Sequence, residues 1–166
     1  MNEVQLRAAA NEWISAFEEA LTSKNASRLG RLFADPAYFR DNGALTWDYR
    51  QFHGRDAVVD SLLAIVDDIQ PHAFRLSQNW PAPNILHAGD NAYVEAFFDF
   101  DTRHGSGILL LNAVPEDAGI KAQAIFTRLE NLRTIKTPEP HPRGRGYTPS
   151  VPGETWKQNR DAARRL

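Results

Sequence analysis

The chain of 166 residues contains no cysteine. This absence excludes disulfide bonds, thiolate metal ligands and cysteine nucleophiles. No other signal indicates an oxidising compartment, so the sequence predicts a reducing interior, the cytoplasm. Segment 1–11 lacks the apolar run of a signal peptide, and no later stretch is apolar for long enough to span a bilayer. We therefore expect no membrane partner.

The chain also lacks a strong excess of charge of either sign. Nineteen basic and 21 acidic residues give a formal net charge of −2, which provides no general attraction for a polyanion. We therefore expect no nucleic-acid partner. Hydrophobic residues make up 42% and charged residues 24% of the chain, and these values are typical of a globular protein with a single core.

Motifs for common cofactors are missing as well. No histidine pair has the helical spacing of a metal site, no glycine-rich loop has a phosphate-binding form, and no serine lies in a nucleophile-elbow context. Glu95, Asp99 and Asp101 would share one face of a strand, with His104 in the next turn, but the solvated side of a half-buried sheet explains this arrangement equally. We therefore predict no metal site and no bound cofactor.

Hydrophobic periodicity predicts three helices in the first 70 residues. Apolar residues recur at intervals of three and four over 2–21, after Asn25 and after Gly54. Pro36 limits the second helix, which makes 38–43 a predicted connecting segment. The run 44–49, Ala-Leu-Thr-Trp-Asp-Tyr, has the composition of a strand.

Beyond Pro71 the pattern is that of strands. Segments 73–78, 91–102, 107–113 and 120–132 are separated by short, turn-rich links, which favour antiparallel neighbours. In 91–102, every second residue from Val94 to Phe100 is apolar, so one face of this strand belongs to the core. Helices followed by antiparallel strands indicate an α+β domain, and the long last strand indicates a sheet that bends around a cavity.

The composition changes again at residue 137. In residues 137–166 prolines and glycines are frequent, and basic side chains outnumber acidic ones. This segment contains one tyrosine, Tyr147, and one tryptophan, Trp156. We predict that residues 1–136 form the domain and that 137–166 form an extended basic tail. This tail is either a solvated linker or a segment that Trp156 anchors in a groove.

Segment 38–49 carries the candidate site. Asp41 lies between aromatic residues, and a carboxylate that faces an apolar pocket is suited to act as a general base. The alternative interpretations are that Asp41 pairs with Arg40 or caps a turn. Trp47 is a candidate pocket wall because aromatic side chains line small-molecule sites, although tryptophan is also a common core residue.

Several phrases of the sequence carry a family resemblance. They are Leu-Phe-Ala-Asp-Pro-Ala-Tyr-Phe-Arg-Asp at 32–41, Ala-Leu-Thr-Trp-Asp at 44–48, Gly-Arg-Asp-Ala-Val at 54–58 and Phe-Asp-Phe-Asp-Thr at 98–102. They resemble the NTF2-like amino-terminal domain of bacterial and fungal flavin-containing monooxygenase-like oxidoreductases, over nearly the whole chain. The resemblance implies an NTF2-like (SnoaL-like) cone, in which N-terminal helices pack on a strongly curved antiparallel sheet that encloses a pocket.

The same resemblance implies a function. We expect a binding or accessory domain for a small apolar or aromatic ligand, which forms a homodimer through its exposed sheet face and has a flavoprotein oxidoreductase domain as partner. The chain is then either a fragment of a flavoprotein or a free-standing relative. The expected pocket is lined by Trp13, Phe17, Tyr38, Trp47 and Phe98.

The wider superfamily implies an alternative function. It includes ketosteroid isomerases, polyketide cyclases and epoxide hydrolases, and the isomerase and cyclase branch places an acidic base roughly at Asp41. Under this alternative the chain is a cofactor-independent isomerase, cyclase or hydrolase. Its substrate would be a small apolar carbonyl compound or epoxide, and Asp41 would be its catalytic residue.

Overall fold

The structure, a computed structural model, describes residues 1–89, 91–117 and 119–135. The helices are α1 (Glu3–Thr22), α2 (Ala26–Arg31) and α3 (Arg55–Ile69). The strands are β1 (Phe33–Asn42), β2 (Tyr49–His53), β3 (His72–Leu76), β4 (Asn84–Ala88), β5 (Asn91–Asp101), β6 (Gly105–Glu116) and β7 (Gly119–Leu132). The predicted tail 137–166 lies outside the described residues, so the tail and its boundary remain predictions.

The first helix begins where the sequence provides a cap. The Asn2 side chain accepts a hydrogen bond from the Gln5 backbone N–H, and the Gln5 side chain accepts one from the Asn2 backbone, which is a capping box. The periodic apolar residues Leu6, Ala10, Trp13, Phe17 and Ala20 are all buried. The periodicity of α1 and of α3 therefore predicted both the helices and their core-facing sides.

The prediction for residues 33–49 was wrong. Helix α2 has only six residues, and β1 starts at Phe33, so 38–42 belong to a strand and not to a connecting segment. Pro36 is tolerated because it lies where the β1–β7 register shifts, between Phe33 and Tyr38. The predicted strand 44–49 is instead a loop up to Asp48, and β2 begins at Tyr49.

The sheet has the strand order β2-β1-β7-β6-β5-β3, and β4 pairs with β5. Most pairs are antiparallel, as predicted, but β1 and β7 run parallel, so the curved sheet is mixed. A parallel pair needs a long connection, and the chain between β1 and β7 provides it. Strand β4 was not predicted because Pro81 and Pro83 precede it and residues 87–90 have the composition of a turn.

One face of the sheet packs against the helices and forms the core. Phe98 and Phe100 of β5 are fully buried there, as are Leu109 and Leu111 of β6, which confirms the predicted alternation in β5. Gly107 is required at this position because an added Cβ would lie 2.6 Å from Phe100 Cζ. No helix among the described residues is both long enough and apolar enough to cross a membrane.

The other face of the sheet, here called the outer face, is organised in rows by the strand register. One row crosses the sheet from β5 to β2 as Glu95, Asn112, Ala124, Tyr38 and His53. The next row consists of Phe97, Leu110, Phe126, Arg40 and Gln51. The outer face is therefore a mixture of aromatic, amide and charged side chains.

Candidate functional site

The loop between β1 and β2, residues 43–48, is built around Asp41. This residue is the ninth of β1, and its side chain points to the core side, where it is fully buried. Gly43 opens the loop with a φ of 71°, a backbone conformation that glycine adopts without strain. The Gly43 N–H donates to the Asp48 carbonyl oxygen at 3.0 Å, so the loop closes on itself.

Both carboxylate oxygens of Asp41 are saturated by donors. Oδ1 accepts from the backbone N–H groups of Ala44 and Leu45, both at 3.2 Å, and from the Thr127 hydroxyl at 2.6 Å. Oδ2 accepts from the Thr46 backbone N–H and the Thr46 hydroxyl, both at 2.7 Å, and from the Leu45 N–H at 3.1 Å. A carboxylate can be buried when its lone pairs are used in this way. Asp41 therefore anchors the loop.

This geometry favours the turn-capping interpretation of Asp41. A general base needs a free lone pair within hydrogen-bond reach of the proton that it removes. The directions available to Asp41 are occupied by three backbone N–H groups and two hydroxyls of the loop and of β7. We assign Asp41 a role in positioning the loop.

The anchored loop presents Trp47 at the surface. Its side chain is 48% exposed, and its ring meets His104 edge-on with 5.3 Å between centroids. Its φ of 56° is in the left-handed region, which costs a non-glycine residue roughly 1–2 kcal/mol. Strain of this kind persists only where the surroundings impose it, and the three residues before Trp47 are held by hydrogen bonds to Asp41.

Trp47 stands at a cavity between the loop and α3, here called the Trp47 pocket. Its volume is about 340 Å³, within the range of roughly 300–1,000 Å³ found for small-molecule sites. The pocket is lined by Leu45, Thr46, Trp47, Arg50, Phe52, Ser61, Ala64, Ile65, Asp68 and Ile69. An apolar floor with a few polar groups is the usual composition of such a site.

The structure does not bring the five predicted ligand-binding residues together. Trp13, Phe17 and Phe98 are core residues with exposed fractions of 3%, 0% and 0%. Trp13 stacks on Phe17 with 5.0 Å between ring centroids, and Phe17 meets Phe74 edge-on at 5.6 Å. These rings pack against one another, and none of them lines the cavities described here within the residues that the structure covers.

Tyr38 lies apart from Trp47, on the outer face. It is 43% exposed and stacks on His53 with 4.7 Å between ring centroids. Two adjoining cavities of about 490 and 510 Å³ open there, and both are lined by Tyr38, Asn112 and Ala124. Asn112 was not singled out in the sequence, yet it interrupts the apolar run 108–114, and this was the signal that could have identified it.

Two residues of the acidic row of β5 have partners within the protein. Asp101 makes an ion pair with Arg75 at 3.1 Å, and Glu95 accepts a hydrogen bond from Asn84 at 3.4 Å. Among residues 1–89, 91–117 and 119–135, no three potential ligands are grouped closely enough to hold a metal ion. The pairing of Asp101 fits the interpretation of this row as a solvated sheet face.

Comparison with solved structures identifies the fold. A cystatin-like protein of unknown function from Nostoc punctiforme is 14% identical with a TM-score of 0.55, and the match covers 77% of this chain and 94% of that one. A provisional dehydratase of the NTF2-like family from Streptomyces avermitilis is 13% identical with a TM-score of 0.55, covering 78% and 99%. A ketosteroid isomerase-like protein from Erwinia carotovora atroseptica is 12% identical with a TM-score of 0.51, covering 77% and 95%.

Identities this low establish the fold alone, and they confirm the predicted NTF2-like, or cystatin-like, architecture. No family model and no curated protein matches the chain. The likeness to the amino-terminal domain of flavin monooxygenase-like oxidoreductases therefore remains a prediction. Fold does not determine function, so the function has to be argued from the sites.

Proposed function

We propose that the protein is a small-molecule-binding domain whose ligand occupies the Trp47 pocket. The observation that carries this proposal is the exposed Trp47 ring, held in a strained backbone conformation beside a cavity of ligand size. A half-exposed tryptophan contributes less hydrophobic stabilisation than a buried one. The strained backbone lowers the stability of the unliganded protein further. Both costs are offset when a ligand covers the ring.

The lining of the Trp47 pocket selects a small, largely apolar or aromatic ligand. Phe52, Ile65 and Ile69 offer apolar contacts, and the indole ring offers a flat surface for stacking. Arg50 is already paired with Asp48 at 3.4 Å, and the Ser61 hydroxyl donates to the Val58 carbonyl oxygen at 2.8 Å. Two polar groups of the pocket therefore already have partners within the protein. Apolar contact is then the main source of affinity for a ligand.

Replacement of Trp47 tests this proposal. We expect a thermal-shift screen of small aromatic compounds to find ligands for the wild-type protein, and Trp47→Ala to weaken their binding about tenfold or more, because a buried aromatic contact typically contributes at least about 1.4 kcal/mol. Isothermal titration calorimetry gives the affinities.

The control for Trp47 is Trp80→Ala. Trp80 is comparably exposed at 40%, but it stacks on Phe97 of the outer face. Its removal should leave ligand binding unchanged. Equal losses in the two variants, or the absence of any ligand in the screen, would contradict the assignment of the Trp47 pocket.

The finer part of the proposal is an accessory role beside a flavoprotein oxidoreductase domain, in which the bound small molecule is the compound that the flavoprotein acts on. It is supported by the family resemblance of the sequence phrases at 32–41 and 44–48. These segments form most of β1 and most of the loop that Asp41 anchors. The purified chain should then be colourless, because the flavin belongs to the partner. Stoichiometric flavin absorbance in the purified chain would contradict this role.

We also propose a homodimer formed through the part of the outer face that carries Trp80, Phe97 and Arg128. Trp80 stacks on Phe97 with 4.9 Å between ring centroids, and the Arg128 guanidinium lies 5.7 Å from the Trp80 ring. Exposed aromatic and arginine side chains are typical anchors of protein interfaces. Trp80→Glu should convert a dimer to a monomer in light scattering, and a wild-type protein that stays monomeric at high concentration would refute the dimer.

A further inference from the structure

The two adjoining cavities on the outer face, here called the outer cleft, form a site distinct from the Trp47 pocket. Both cavities are lined by Tyr38, Asn112 and Ala124. The lining of the first also includes Arg40, Gln51, His53, Leu110 and Phe126. The lining of the second also includes Leu86, His87, Tyr93 and Gln123. Among these described lining residues there is no carboxylate. The carboxylate of Glu95 lies opposite Asn112 in the strand register, so the outer cleft suits a neutral ligand.

Asn112 lies where the two cavities meet, and its side-chain oxygen has no hydrogen-bond partner. Its Oδ1 is shielded from solvent without a hydrogen-bond partner, and it is the one buried side-chain atom of this kind among the described residues. No hydrogen bond to the Asn112 side chain is present elsewhere in residues 1–89, 91–117 and 119–135. A buried polar atom without a partner destabilises a protein, and each such case needs an explanation.

Neither cross-strand neighbour of Asn112 is a hydrogen-bond partner of its amide. The neighbour in β7 is Ala124, and the neighbour in β5 is Glu95, which accepts its hydrogen bond from Asn84. An apolar side chain of similar volume would fit the strand without the cost of an unpaired acceptor. A residue that lowers the stability of the folded protein without a compensating contact is expected at a functional site.

We propose that the outer cleft binds a planar heteroaromatic lactam, a ring in which an N–H group adjoins a carbonyl group. A carboxamide presents an acceptor beside a donor, and a lactam edge presents the complementary pair. No hydrogen bond fixes the Asn112 amide, and the terminal torsion of asparagine is soft, so the amide can turn its edge toward the ligand. Both of its polar atoms are then paired.

The aromatic side chains of the outer cleft complete the site. Tyr38 is held by its stacking on His53, and Tyr93 lines the same cavity as Asn112. Each offers a flat apolar face to a ring system. The volume of about 510 Å³ for this cavity accommodates a fused bicyclic ring.

A matched pair of ligands tests the proposal. The probe is 2-quinolinone, and its control is N-methyl-2-quinolinone, which keeps the ring and the carbonyl group but lacks the N–H donor. Trp47→Ala protein is used throughout, so that binding at the Trp47 pocket does not contribute. We expect 2-quinolinone to shift the side-chain amide signals of Asn112 in heteronuclear NMR spectra, and the methylated probe to bind about tenfold or more weakly, as loss of the paired hydrogen bond predicts.

The variant Asn112→Leu provides an independent readout. It should abolish the preference for 2-quinolinone over its methylated analogue and raise the melting temperature of the unliganded protein by about 2–4 °C, because the unpaired acceptor is removed. Equal binding of the two probes, or no binding of either, would overturn the proposal. Asn112 signals that shift with protein concentration alone would also overturn it, because a second copy of the chain would then cover the cleft.

Discussion

Asp41→Ala is expected to lower the free energy of unfolding by about 3–5 kcal/mol, because each buried donor that loses its acceptor costs about 1–3 kcal/mol. The substitution leaves three backbone N–H groups and the hydroxyls of Thr46 and Thr127 without their acceptor. These donors lie in or beside the interior, where water does not readily replace the carboxylate. Urea denaturation of the two proteins measures the difference.

Two companion variants test the reason for this effect. Thr127→Val preserves the shape of the side chain and removes one of the donors, and it should cost about 1–2 kcal/mol. Asp41→Asn preserves the shape of the acceptor but turns an amide N–H₂ group toward backbone donors, and its cost should lie between the other two. If Asp41→Ala costs no more than Thr127→Val, the carboxylate is not the anchor of the loop, and the general-base hypothesis for Asp41 becomes the better explanation of its placement.

Phe17→Ala is expected to cost about 3–5 kcal/mol of stability, as truncation of a buried phenylalanine usually does. Phe17 is fully buried and contacts the rings of Trp13, Phe33 and Phe74. Its removal leaves a cavity that the neighbouring rings fill only in part. Denaturant unfolding measures the loss.

The control for Phe17 is Tyr38→Ala, which removes an aromatic side chain that is 43% exposed and should cost about 1 kcal/mol or less. The comparison separates a core aromatic residue from a pocket wall. Had Phe17 lined an open ligand cavity, its truncation would cost little in the unliganded protein. A loss for Phe17→Ala no larger than that for Tyr38→Ala would indicate such a cavity.

The sequence predicted the fold class and the core-facing sides of its regular elements because periodicity records which face of an element is buried. The pattern in α1 identified Trp13 and Phe17 as inward-facing, and the alternation in β5 did the same for Phe98. Periodicity does not record whether inward-facing rings leave space between them. All three were therefore predicted as pocket walls, and all three lie among the buried residues of the core.

Long-range pairing explains the failures. Residues 33–42 form a strand because β2 and β7 flank them, and no local pattern around Pro36 predicts either neighbour. The role of Asp41 depends on Thr127, which is 86 positions away. Trp47 was predicted as a pocket wall from its residue type and its place in a predicted strand. Its exposed position in a loop beside the Asp41 hydrogen bonds depends on contacts that only the folded chain brings together.

The parallel pairing of β1 with β7 has a consequence for synthesis on the ribosome. Phe33 pairs with Ala122, and Asn42 pairs with Arg128, so an early strand acquires one of its two neighbours only when the last described strand has been made. Until then β1 has an open edge, and Asp41 lacks the Thr127 hydroxyl. Non-local contacts of this kind slow folding, and incompletely paired strands favour aggregation. The nascent chain therefore passes through a long interval in which β1 lacks one of its two neighbours and the sheet is incomplete.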